Sequence, residues 1–200
     1  EKDAVATPEG LENGRDTPHD VPSAKTCMAC HAGKKSRVLG FSAIQLAGPF
    51  DDGRLSLESL VDAGKLNTPP TTRIAVPGNA VEQAALGYLH ANCSHCHNQR
   101  RPTEGGPGCY DPQLSFDFAL WTDVSGDVHK TPAYQTAIGT VIVPGAAKKS
   151  KAYKRMGKAS PYRPAMPPLG TEEMDVAGKA AVAAWIDSLP ATTSPTSAAK

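Results

Sequence analysis

The 200-residue sequence lacks any hydrophobic run long enough to cross a bilayer. Its longest apolar stretches, near residues 136–147 and 176–186, fall short of the about 20 residues that a spanning helix needs, and Gly or charged residues interrupt both. It also lacks an excess of charge, because 21 Lys and Arg accompany 20 Asp and Glu, and no basic stripe with interleaved aromatics is present. Phosphate-binding glycine loops and Ser-His-Asp patterns are missing too. We therefore predict neither a membrane span nor a nucleic-acid partner.

Proline and glycine, in contrast, are abundant, with 18 of each between short segments of helical pattern. This composition predicts a loop-rich domain with a modest core, whose order depends partly on a bound prosthetic group. Residues 1–22 and 191–200 are polar, so we expect a flexible start and a disordered tail or linker around a folded domain at 23–190. The charged beginning is no signal peptide, which fits either a removed signal or one domain of a longer chain.

Four of the five cysteines fall in two copies of the pattern Cys-x-x-Cys-His. Zinc ribbons also use two Cys-x-x-Cys pairs, but closer together, and zinc does not explain a His directly after each pair. A thioredoxin-like motif would need a βαβ setting. A disulfide within each Cys-x-x-Cys pair would close only a very short loop and would therefore stabilise the domain little. Covalent c-type haem explains the His, because the thiols bond to the haem vinyl groups and the imidazole binds the iron. The residues concerned are Cys27, Cys30 and His31, and Cys93, Cys96 and His97.

Covalent haem attachment also predicts a location. It takes place outside the cytoplasm, so we expect a periplasmic or otherwise exported protein with two haem c groups. The fifth cysteine, Cys109, lies in the turn-rich "EGGPGCYDP" without a partner. We interpret it as a single thiol without function, with oxidative dimerisation as the alternative.

Met166 is the predicted sixth ligand of the second haem iron, opposite His97. It lies in the Pro-rich stretch "SPYRPAMPPLG", where prolines hold an extended path and leave a thioether projecting. A helix is predicted next, with Thr171 as N-cap, two Glu residues in the first turn and an end at Pro190. Its predicted apolar face consists of Ala177, Ala180, Ala181, Ala184, Trp185 and Ile186.

These segments resemble a class I cytochrome c. The matching stretches are "VEQAALGYLHANCSHCH", "AMPPLG" and "AVAAWIDSLP", within residues 80–190. The resemblance implies a mostly α-helical fold in which the first and last helices of this part cross, with Gly87, Tyr88 and Trp185 at the crossing. A longer span between the cysteines and the Met departs from minimal family members. Residues 24–190 as a whole are similar to dihaem cytochrome c modules of exported bacterial proteins, which implies electron transfer.

The first motif has no evident sixth ligand in the segment that follows it. That segment contains no His before His90 and no Met before Met156, and one helix is predicted in it, at residues 56–63. We therefore expect the two haems to share one compact unit. The leading candidate is His90, seven positions before His97 on the same predicted helix, which would couple the two haems. His129, Met156 and an open site are the alternatives.

The sequence thus predicts a dihaem c-type cytochrome that performs outer-sphere electron transfer with unidentified redox partner proteins. Ligation by Met raises a haem's potential above that of a bis-His haem, so the pair would form a small potential step if the first haem is bis-His. A dihaem peroxidase-like enzyme with an open first haem is one alternative, although the chain is short for it and no acid/base cluster is evident. An electron-relay domain of a larger redox protein is the other. No catalytic residue is predicted.

Overall fold

The computed structural model describes residues 5–31, 38–48, 50, 53–99, 115–121, 126–157, 165–168 and 172–191. In these ranges all regular secondary structure is helical, which confirms the predicted mostly α-helical class, and only two isolated β-bridges occur. The α-helices are α1 (Ala24–His31), α2 (Ala43–Leu46), α3 (Leu57–Asp62), α4 (Ala80–Asn92), α5 (Lys151–Arg155) and α6 (Val176–Ser188). Shorter helical turns occupy Gly14–Asp16, Val128–Lys130, Ala133–Ala137 and Ala147–Lys149. None of the helices so described is long and apolar enough to cross a membrane.

Polar side chains define where the central helices begin. The N-caps of α2, α3 and α4 each form a capping box, in which the cap side chain accepts the N3 backbone N–H and the N3 side chain accepts the cap N–H. For α3 these residues are Ser56 and Ser59, and the helix ends at the Ala63 cap. The helix predicted at residues 56–63 is therefore confirmed.

The last helix begins later than predicted. Asp175 is its N-cap, with its Oδ1 accepting the backbone N–H of Gly178 at 2.8 Å. Glu172 and Glu173 precede the helix, and Thr171 lies outside the described residues. Asp and Thr are both good caps, so the sequence pattern alone could not choose between them, whereas the side-chain bond selects Asp175.

The buried face of α6 also differs from the predicted one. Gly178, Val182, Trp185 and Ile186 are buried. Three of the alanines assigned to the apolar face are exposed instead: Ala177, Ala180 and Ala184. Alanine is small enough to be tolerated on either face, which is why the pattern misled.

The helices α4 and α6 pack together and form the centre of the molecule, as the resemblance implied. Tyr88 of α4 contacts Gly178 of α6, where a Cβ would overlap the tyrosine ring. The small residue of the crossing is therefore Gly178. The assignment of Gly87 to that part is wrong, because a Cβ there would meet only the Val76 side chain, at an ordinary 3.7 Å. Trp185, fully buried, joins the same core.

Residues 5–22 contain a hydrogen-bonded turn, although their polarity predicted a flexible start. Leu11 and Val21 exchange both backbone hydrogen bonds, at 2.9 and 2.7 Å. Ala24 at the start of α1 donates its N–H to Pro8 O, which ties the turn to the helix. The predicted tail, apart from its first residue, lies outside the described residues.

Candidate functional site

The second cysteine motif forms the C-terminal end of α4. Cys93 is the C-cap, and its carbonyl oxygen accepts the N–H groups of Cys96 at 3.2 Å and His97 at 2.9 Å. Inside this turn Ser94 is buried and donates to the His90 carbonyl oxygen at 2.5 Å. The turn therefore brings both cysteines and the histidine to the same helix end.

These three residues line one apolar cavity together with Met166. Its open space is about 1010 Å³, a figure that includes the solvent at its opening. The walls come from α4, α5, residues 116–118 and residues 166–168. Four side chains predicted to serve the second haem thus meet in one place, although 73 positions separate the first from the last.

A second methionine borders the same cavity. Met156, the C-cap of α5, lines it next to Arg155. The backbone N–H of Met166 donates to the Arg155 carbonyl oxygen at 2.8 Å, which holds the Pro-rich segment against the end of α5. The cavity therefore has two thioether side chains in its lining, one of which had been weighed for the first haem.

Two phenylalanines, which we call the aromatic wall, enclose the His97 imidazole. Phe116 stacks on it with ring centroids 4.6 Å apart and an interplanar angle of 26°, and Phe118 meets it edge-on at 6.1 Å. Both phenylalanines are buried, and Phe118 donates its backbone N–H to the His97 carbonyl oxygen at 2.9 Å. Asp117 fastens the same segment by accepting the Gln99 N–H at 3.1 Å. The orientation of His97 is thus set by an apolar enclosure.

The cysteine at the helix end is kept uncharged by its surroundings. Burial, and secondarily the neighbouring Cys96, raise the pKa of the Cys93 thiol to about 12. The thiolate is the form that binds metal ions and attacks disulfides, so an unattached Cys93 is poorly suited to either at neutral pH. A neutral thioether sulfur suits the same apolar position.

The first motif has a different local structure, because it lies inside α1. Cys27 and His31 are four positions apart on this helix and so share a face. The Cys27 thiol is 3.8 Å from the Pro22 carbonyl oxygen, and His31 is exposed. The Cys30 backbone is helical, while Cys109 lies outside the described residues.

The three residues weighed as sixth ligand of the first haem have different surroundings. Met156 borders the second cavity, as described. His129 sits on an exposed turn, with its ring 5.0 Å from that of Tyr134. His90 is buried, with Nδ1 2.9 Å from the Leu120 N–H donor and Nε2 3.1 Å from Ser42 Oγ. Because both ring nitrogens of His90 have protein partners, an iron at Nε2 would have to replace Ser42; the ligand role stays a prediction.

Positive charge concentrates at the mouth of the cavity. Lys151 and Arg155 contribute to its lining. The chain has no acidic residue between Asp127 and Glu172, a stretch that includes the segment "KKSKAYKR". The near-neutral total charge therefore includes a basic stretch of sequence, two residues of which line the cavity.

Sequence reasoning missed the aromatic wall and Ser42. The first four residues of "SFDFAL" alternate polar and apolar side chains, a period typical of extended chain, so the wall had a detectable signal. Ser42 had none as a partner of His90, because 48 positions separate the two.

The residues that line the cavity are compatible with a covalently attached haem. The described residues include no group of three or more His, Cys, Asp or Glu side chains placed to hold a metal ion. Two thiols, an imidazole and a thioether around an apolar space are instead the set that a covalently attached haem uses. No protein-family model, curated protein or solved structure matches this chain.

Proposed function

We propose that this chain is an exported dihaem c-type cytochrome that passes single electrons between redox partner proteins. The observation that carries the proposal is the shared cavity, in which Cys93, Cys96 and His97 meet Met166 across an apolar space. The second Cys-x-x-Cys-His motif, at Cys27, Cys30 and His31, supports a count of two haems.

Each cysteine would attach its haem by adding its S–H across a vinyl group. A C–S bond forms, the thiol hydrogen moves to the neighbouring vinyl carbon, and no electron is gained or lost. The apolar setting that disfavours a Cys93 thiolate accepts the neutral thioether without an uncompensated charge.

When bound, the haem supplies an iron that takes up and releases one electron. The work of the chain is then to hold ligands and to control the surroundings. His97 and Met166 would be the residues that hold the iron; the aromatic wall contacts the His97 ring, and a backbone bond to Arg155 holds the Met166 segment. The apolar lining lowers the local dielectric and excludes water, which together with the thioether favours the reduced state.

The test is the haem content of the protein produced in a host with haem-attachment machinery. We expect two haems per chain by pyridine haemochrome assay, and one in each of the matched variants Cys27→Ala/Cys30→Ala and Cys93→Ala/Cys96→Ala. Absorption and EPR spectra of the oxidised wild type should contain the sulfur-to-iron band of a Met-ligated low-spin iron. That band should persist in the first double variant and vanish in the second.

Two results would contradict the proposal. A chain without covalent haem would rule out a cytochrome altogether. A high-spin iron that turns over peroxide would replace electron transfer with the peroxidase-like alternative.

A further inference from the structure

His90 hydrogen-bonds to two segments of the chain, one that contains Ser42 and one that contains Leu120. It lies on α4, is only 3% exposed, and precedes Cys93 by three positions. Its partners are distant in sequence: Leu120 is 30 positions away and Ser42 is 48. A buried histidine needs such partners, because an unpaired ring nitrogen in the core would be destabilising.

The hydrogen bonds select one neutral tautomer of His90. The Leu120 backbone N–H can only donate, so Nδ1 accepts and the ring proton is on Nε2. That proton points to Ser42 Oγ at 3.1 Å, and the Ser42 hydroxyl in turn donates to Gln45 Oε1 at 2.8 Å. Every donor in this chain of bonds has an acceptor. An iron at Nε2 would remove the proton and break the bond to Ser42.

Leu120 belongs to the segment that carries the aromatic wall. Phe118 in that segment is bonded to the His97 carbonyl oxygen, and Phe116 stacks on the His97 ring. The bond from Leu120 to His90 fixes the other end of the segment to α4, the same helix whose end bears the cysteines. A shift of this segment would therefore move the rings against the imidazole.

We propose that His90 is a positioning residue for the second haem: through Leu120 it holds the aromatic wall against His97, and through Ser42 it joins the segment after the first motif to α4. This inference rests on the proposed function, since it concerns the His97 site. It replaces the predicted role of His90 as the sixth ligand of the first haem.

Two substitutions separate positioning from ligation. His90→Asn retains an acceptor close to the position of Nδ1 and so can still receive the Leu120 N–H, whereas His90→Leu removes it; neither side chain can ligate iron as histidine does. His19→Gln, at an exposed histidine in the N-terminal turn that is not a candidate ligand of either haem, is the matched control. All are measured in the full chain with both haems attached.

We expect His90→Leu to shift the EPR g-values and the reduction potential of the Met-ligated haem, with the signal of the first haem unchanged. His90→Asn and His19→Gln should remain close to wild type for both haems. Loss of a low-spin signal from the first haem in both His90 variants would overturn the inference in favour of ligation. An unshifted second haem in His90→Leu would overturn it as well, even if the melting temperature fell.

A measurement on the wild type covers the case in which His90→Leu does not fold. In the reduced, diamagnetic protein, nitrogen NMR should detect a protonated Nε2 on His90 and a scalar coupling from the Leu120 amide nitrogen to Nδ1. An iron-bound Nε2 without a proton would overturn the inference. A wild type without haem would refute the proposed function itself, which the haem assay reveals before any variant is made.

Discussion

At the residue scale, the cavity presents two methionines of which one would ligate iron. Met166 is carried by a segment fastened to Arg155, while Met156 ends α5 and also packs against the hydrophobic core. A thioether in the core is a usual gap-filler, whereas one held among prolines has no such packing role. The two residues therefore form a natural matched pair.

We predict that Met166→Ala abolishes the sulfur-to-iron absorption band and lowers the reduction potential of the second haem. The reason is that loss of the thioether removes the ligand that favours the reduced iron, and axial ligands can move haem potentials over about 0.8 V. Met156→Ala should retain the band. It should lower the free energy of unfolding by less than the about 2–5 kcal/mol expected for a fully buried Met, since Met156 is only partly buried. Spectroelectrochemistry and denaturant unfolding measure the two effects. The reverse pattern would assign the ligand to Met156.

The sequence predicted the site best where chemistry restricts residue types. Cys93, Cys96 and His97 belong to a pattern whose spacing covalent haem attachment would require, and they line one cavity together with Met166. His90 was noticed for its residue type, but its hydrogen-bond partners Ser42 and Leu120 were not predicted, because they come from remote parts of the chain. Hydrogen bonds over such separations leave no periodicity to detect.

At the scale of elements, the close packing of α4 against α6 depends on one glycine. Gly178 lies at N3 of α6 against the Tyr88 ring, and the Tyr88 hydroxyl bonds Asp175, the cap of the same helix. The N-cap of α6 and its closest contact with α4 therefore both lie in the first turn of α6. The sequence indicated the helix and its end but not its first residue, because several polar residues could have capped it.

We predict opposite effects for a glycine-to-alanine change at this crossing and one elsewhere on α4. Gly178→Ala should destabilise the protein by about 1–3 kcal/mol, because the new methyl group would overlap Tyr88 and force the helices apart. Gly87→Ala, in the middle of α4, should stabilise it by about 0.5–1 kcal/mol, since alanine is the better helix former and meets only Val76. Urea unfolding followed by far-UV circular dichroism measures both. Equal effects would contradict the assignment of Gly178 to the crossing.

At the scale of the whole molecule, two tyrosines link stability to alkaline pH. Burial raises the pKa of Tyr134 to about 12, aided by its hydrogen bond to Glu82, and burial with Asp175 and Cys93 does the same for Tyr88. The unfolded chain loses these protons near the ordinary value of 10.0, before the folded one does. The stabilisation is therefore complete below about pH 10 and is lost as the pH rises towards 12.

We predict that Tyr134→Phe makes this alkaline loss of stability shallower, and that adding Tyr88→Phe makes it shallower still. Tyr134→Phe should also cost about 1 kcal/mol at neutral pH, because the hydroxyl joins Glu82 and the Trp185 indole N–H. The free energy of unfolding, measured in urea from pH 8 to 11.5, tests both statements. A slope between pH 10 and 11.5 equal to that of the wild type would refute the link.

The basic mouth of the cavity has a consequence for encounter rather than for stability. A net charge of +1 spread evenly over the surface would change the association rates of small anions and cations very little. A charge cluster beside the reacting site instead creates a local field that attracts anions towards it. Oxidation of the reduced protein by ferricyanide should slow as salt is added, while oxidation by a cationic cobalt complex should accelerate. Both dependences should fade once the Debye length falls to about 8 Å at 0.15 M ionic strength. If the oxidation rates with both reagents do not change with salt concentration, electrons leave through another side of the molecule, away from Lys151 and Arg155.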